Sequence, residues 1–64
     1  MATADDIIVT YQGRVAIITL NRPEKLNALS GPHYFLLGDR LREVAQRDDI
    51  SITVLTGSGR YFSA

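Results

Sequence analysis

Between Gly13 and Pro23 runs an almost unbroken apolar stretch, Val15, Ala16, Ile17, Ile18, Thr19 and Leu20. Side chains branched at Cβ fit a pleated strand, and a strand apolar on both of its faces needs cover on both. In a chain of 64 residues that demand is hard to meet, because a domain of ~60 residues buries only about 60% of the surface its unfolded chain exposes. The usual staples of small domains are missing. There is no Cys for a disulfide or a thiolate zinc site, and His33 is the single histidine, so neither supplies a structural metal.

The rest of the chain arranges itself around that strand. Residues 1–6 are polar and are expected to form a flexible lead. Residues 7–11, Ile-Ile-Val-Thr-Tyr, are β-branched and aromatic and predict a first strand. Gln12 and Gly13 mark the turn of an antiparallel hairpin, where glycine accepts positive φ. Residues 21–29 are a loop, since Pro23 drives Arg22 out of the helical region and both Asn21 and Asn27 favour turns.

Ser30 is placed as a helix N-cap, with Gly31 and Pro32 in the first turn. From His33 to Gln46, Tyr34, Leu37, Leu41 and Val44 recur at steps of three and four, which predicts one shared apolar face. Glu43 and Arg47 have the spacing of an i,i+4 pair. Residues 50–56 return to strand composition before Gly57, Ser58 and Gly59. The order is ββαβ, and the helix between the second and third strands is the crossover that gives parallel pairing. The chain is of the α/β class. One helix covers one face of the apolar strand and leaves the other open.

Charge and composition exclude several roles. Seven basic residues balance seven acidic ones, so there is no basic stripe of the kind that drives general nucleic-acid binding. No apolar run reaches the ~20 residues of a membrane helix. The first residues lack the pattern of a secretory signal, and the expected compartment is intracellular.

Local constellations give weak chemistry. Gly57, Ser58 and Gly59 follow a strand but lack the spacing of a phosphate-binding loop. Ser30, Ser58 and Ser63 lack a G-x-S-x-G setting, and no acid adjoins His33 in sequence to orient it, so a hydrolytic triad is not expected. His33 is assigned to the helix surface. Asp48 and Asp49 suit helix-end solvation better than a calcium loop. The loop at residues 21–29 is more promising, because ligands of α/β sheets gather beyond the carboxyl ends of strands. Arg22 and Lys25 could reach phosphate from it, or be solvated cations.

The motif ITLNRPEKLNALS (residues 18–30), then a helix, then ITVLTGSGRYFSA (residues 52–64), resembles the N-terminal part of the enoyl-CoA hydratase/isomerase, or crotonase, superfamily. Within it, the GRYFSA form and the helix composition look most like fungal Δ3,Δ2-enoyl-CoA isomerases of fatty acid β-oxidation. The resemblance implies a crotonase-like (ClpP/crotonase) spiral fold, of which residues 7–64 are an N-terminal part, incomplete at the C-terminal end. It implies an enoyl-CoA thioester as substrate, no metal or redox cofactor, a homotrimer or hexamer, and a peroxisomal location.

In that family the loop before the helix contacts coenzyme A, largely through backbone groups. The matching positions are Glu24, Lys25, Leu26 and Ala28, with Ala64 adjoining from the second motif. The family's oxyanion donors and acid–base carboxylates match no residue of the chain, so no catalytic residue is assigned and the piece alone is expected to be inactive. Hydration of the same thioester, sibling chemistries such as dehalogenation or thioester hydrolysis, and a short non-catalytic ββαβ binding module are the alternatives.

Overall fold

The computed structural model describes residues 3–59 and Phe62. Strands β1 (Ile7–Gln12) and β2 (Val15–Leu20) form the hairpin, α1 (Gly31–Ala45) crosses over, and β3 (Ile52–Gly57) completes a three-stranded sheet in the order β1-β2-β3. β1 pairs with β2 antiparallel, from Ile7↔Leu20 to Gln12↔Val15, and β2 pairs with β3 parallel. The hairpin turn is tight, and Gly13 sits in it at φ 58°, which only glycine takes without steric cost. Two short 3-10 turns flank the hairpin, at Ala4–Asp6 and Pro23–Lys25. No helix among the described residues is long and apolar enough to cross a membrane.

The central apolar strand is resolved into two unequal faces. Ala16, Ile18 and Leu20 are buried, and together with Ile7 and Val44 they form the core; Val15, Ile17 and Thr19 on the opposite face are half-covered. Full burial of a side chain such as Ile18 stabilises by about 1.5–3 kcal/mol. The helix leans over β1 and the buried face of β2. β3 carries its apolar side chains in the open, with Ile52, Val54 and Leu55 all exposed.

Within the polar lead, residues 3–6 form a capped turn, in which the Thr3 N–H donates to Asp6 Oδ2 at 3.1 Å. Two expectations change. The helix is rotated relative to the expected face, because Tyr34 and Leu41 are exposed while His33 and Val44 are buried and Leu36, Leu37 and Arg40 are half-buried. The reason is polar. Arg40 donates from Nε to the Ile7 carbonyl (3.0 Å) and from a terminal nitrogen to the Ala4 carbonyl (3.1 Å), and those bonds turn its side of the helix toward β1.

The expected Glu43–Arg47 pair is replaced. Glu43 faces Arg40 at 3.8 Å. Arg47 bonds Asp49 at 3.2 Å and lies 3.9 Å from the centre of the Tyr11 ring. The Asp49 carboxylate keeps the Arg47 guanidinium protonated to higher pH, and the guanidinium holds Asp49 below its ordinary value. The partner is two residues away rather than four, because the helix has already ended at Ala45.

Candidate functional site

Parallel pairing places Leu20 opposite Gly57. The loop that leaves β2 and the turn that leaves β3 therefore emerge side by side at the carboxyl end of the sheet, where ligands of α/β folds bind. Within the loop, the chain folds into a compact knot. The N–H of Lys25 donates to the Arg22 carbonyl, that of Leu26 to Pro23, that of Asn27 to Arg22 at 2.8 Å, and that of Ala28 to Lys25. Leu26 and Asn27 both take left-handed backbone conformations, φ 54° and 57°. Asparagine tolerates this region, whereas a leucine there costs about 1–2 kcal/mol.

Glu24 and Lys25 are exposed in the Pro23–Lys25 turn, Leu26 stands out at the tip with 47% of its surface accessible, and Ala28 is half-buried. The structure thus gathers Glu24, Lys25, Leu26 and Ala28 into one exposed loop. The carbonyls of Glu24 and Leu26 accept from no described residue. Ala64, expected to adjoin the loop, lies outside the described residues, as does Ser63.

Asn27 is the residue that sequence reasoning passed over. It is fully buried, its Oδ1 accepts the Arg22 N–H at 2.7 Å, and its Nδ2 donates to the Ser58 carbonyl at 2.8 Å. Ser58 continues the link, with its N–H on the Leu20 carbonyl (2.9 Å) and its hydroxyl within reach of Leu20 and Asn21. A Cβ on Gly57 would stand 2.7 Å from the Asn27 amide and 2.4 Å from the Phe62 carbonyl. Only glycine lets these segments meet so closely. The only sequence signal was an asparagine at a turn.

The far end of the loop is held by Arg22 and His33. A guanidinium nitrogen of Arg22 donates to the Ala28 carbonyl at 2.6 Å, and its Nε lies 3.9 Å from Asp6. These contacts tie the end of β2 to the exit of the loop and to the lead of β1. His33 is buried, with 1% of its surface accessible, against the expected surface position. It takes the third position of a capping box, which satisfies helix N-terminal groups reciprocally. The Ser30 N–H donates to its Nδ1 at 3.1 Å, so Nδ1 is the acceptor and Nε2–H donates to Asp6 Oδ2 at 2.8 Å. Asp6 is held well below its ordinary range, at about 2, first by the bond from His33 and then by the Thr3 N–H.

An acid for His33 therefore exists, which the sequence did not reveal, because Asp6 is 27 positions away. Ser30 Oγ lies 2.7 Å from Nδ1, and the three groups stand in the order of a hydrolytic relay. The surroundings argue against that use. Nδ1 is already taken by the Ser30 backbone N–H, a guanidinium nitrogen of Arg22 lies 3.5 Å from it, and the ring is sealed from solvent. The cluster fastens the start of α1 to the lead of β1.

Residues 15–64 match the profile of a family described as enoyl-CoA hydratase/isomerase. The chain belongs to the enoyl-CoA hydratase/isomerase family. It is 52% identical over 56 residues to the Delta(3,5)-Delta(2,4)-dienoyl-CoA isomerase of Pyricularia oryzae, a match covering 88% of this chain and 20% of that protein. It is 42% identical over 59 residues to the mouse protein named enoyl-CoA delta isomerase 3, peroxisomal (92% of this chain, 18% of that one). With the 2,3-dehydroadipyl-CoA hydratase of Escherichia coli it shares 41% over 59 residues (92% and 23%).

Among solved structures, an enoyl-CoA hydratase/isomerase from Mycobacterium paratuberculosis superposes with a TM-score of 0.88 at 40% identity, covering 94% of this chain and 24% of that one. The fold is accordingly an N-terminal portion of the crotonase fold. The chain spans about a fifth of the length of the curated relatives it matches.

Proposed function

We propose that this segment forms the coenzyme A side of an enoyl-CoA isomerase of fatty acid oxidation. The observation that carries the proposal is the knotted loop at residues 22–28, which offers the Glu24 and Leu26 carbonyls at the carboxyl end of the sheet of a family fold. Backbone carbonyls accept from the exocyclic amino group of adenine without calling on any particular side chain. That suits a site whose tip carries Glu24, Lys25 and Leu26 as exposed neighbours. Lys25 is free to approach a phosphate of the ligand as a mobile point charge, and Ala28 lines the pantetheine side; Ala64 is assigned to the same site by the family motif alone.

The chemistry follows from the thioester. Its carbonyl acidifies the α-proton, so a base removes that proton, an oxyanion site holds the dienolate, and the proton returns at the γ carbon. Preorganised donors on such an oxygen are worth several kcal/mol. Within this reading the enzyme needs no metal or redox cofactor, and acyl-CoA is its substrate. The base and the oxyanion donors belong to parts of the enzyme outside this segment. Assembly as a trimer or hexamer, and residence in peroxisomes as in the name of the mouse relative, belong to the same reading.

The test is an assay of the full-length enzyme with 3-enoyl-CoA, 3,5-dienoyl-CoA and 2-enoyl-CoA. Shift of the Δ3 double bond into conjugation is the expected result. The 52% identity to the Pyricularia oryzae enzyme favours a second reading, in which the 3,5-diene is the better substrate. Hydration of 2-enoyl-CoA without double-bond migration would overturn both.

A further inference from the structure

We infer that Asn27 is a positioning residue for coenzyme A, one that preforms the binding loop before ligand arrives; this rests on the function proposed above. The loop has a built-in tendency to relax. Leu26 is left-handed and half-exposed, and a leucine leaves that conformation readily when nothing opposes it. Opposition comes from its neighbour. The Asn27 side chain accepts from the Arg22 N–H at the start of the knot and donates to the Ser58 carbonyl across the gap to β3. Its backbone N–H closes on the Arg22 carbonyl.

One fully buried amide thus fixes both the internal shape of the loop and its distance from the β3 exit. Glu24 and Leu26, whose carbonyls stand ready for the purine, lie within three residues of it. A ligand that meets a preformed loop loses less free energy to ordering it. Asn27 has no exposed surface, so it acts through the loop rather than by contact.

Asn27→Gly isolates this role. Glycine keeps the left-handed backbone at no steric cost, so the variant removes the side-chain amide and its bonds without straining the chain. In the full-length enzyme, Asn27→Gly is expected to raise KM for the enoyl-CoA and the Kd for free coenzyme A about tenfold, with kcat changed less than twofold. Val44→Ala, in the core and away from the loop, serves as the control for destabilisation. It is expected to lower the melting temperature while leaving KM and Kd as in the wild type.

If Asn27→Gly and Val44→Ala behave alike, Asn27 is a structural residue only and the inference is wrong. If wild-type enzyme fails to bind coenzyme A at all, the proposed function falls, and this inference with it. Should Asn27→Gly not accumulate as folded enzyme, Asn27→Asp keeps the acceptor for the Arg22 N–H and loses the donor to the Ser58 carbonyl. A normal KM and Kd in that variant would equally refute the inference.

Discussion

Gly57→Ala puts the junction between the two loops under direct test. The new methyl carbon would lie 2.4 Å from the Phe62 carbonyl oxygen, 2.9 Å from the Phe62 Cα and 2.7 Å from Asn27 Nδ2. Two of these are backbone atoms and cannot swing aside. The third belongs to an amide pinned on the Ser58 carbonyl and the Arg22 N–H, and moving it leaves buried polar groups unpaired. Overpacking of this kind costs about 1–3 kcal/mol, and a buried hydrogen bond lost with its partner stranded adds about 1–3 kcal/mol. A destabilisation of about 3 kcal/mol is expected.

Two other glycines calibrate the scale. At Gly31 a Cβ meets nothing within 4 Å, and alanine favours a helix by up to about 1 kcal/mol, so Gly31→Ala should be neutral or stabilising. Gly13 also has open space but sits at φ 58°, which predicts a loss of about 1–2 kcal/mol from backbone strain. Denaturant unfolding of the three full-length variants, compared by midpoint at constant slope, reads the series. Gly57→Ala within 0.5 kcal/mol of Gly31→Ala would refute the close packing of loop, turn and Phe62.

Three further outcomes follow from the same geometry. Asp6 is depressed from 3.8 to about 2 in the folded state, so the unfolded chain binds its proton first as pH falls. The stability it contributes is full above its unfolded value and is lost between about pH 4 and 2. The stability difference between wild type and Asp6→Asn should therefore shrink as pH falls below 4, whereas a difference constant from pH 4 down to pH 2 would deny the His33 bond. Leu20→Ala, at 2% exposure in the core, should cost about 2–5 kcal/mol by thermal or denaturant melting; a loss under 1 kcal/mol would misplace the core. Lys25→Met should raise KM for the enoyl-CoA no more than severalfold, and the effect should fade with added salt if it is a screened phosphate contact.

The strands were legible because their composition repeats one message. Ile7, Ile8, Val9, Ile17, Ile18 and Val54 are all branched at Cβ, and Gly13 and Pro23 punctuate them. Parallel pairing followed from the helix lying between β2 and β3. The helix face was not legible. Gly31–Ala45 carries apolar residues along two stripes, and the choice between them is made by Arg40 and His33 finding partners at Ile7, Ala4 and Asp6. Those partners lie about 30 residues upstream, beyond the reach of periodicity. Asn27 was hidden for the same reason, since its decisive bond crosses to Ser58, 31 positions on. The loop itself stood out through its Asn, Pro and Lys. The coenzyme A role proposed for it rests on the family motif, because backbone carbonyls leave no trace in side-chain chemistry.

The central claim, that residues 24–28 hold coenzyme A through their backbone, is tested most directly by a crystal structure of the full-length enzyme with a non-reactive acyl-CoA analogue. The expected density places the adenine amino group at hydrogen-bond distance, about 2.7–3.2 Å, from the Glu24 or Leu26 carbonyl, with the knot unchanged. Adenine bound elsewhere, with these two carbonyls facing only water, would contradict it.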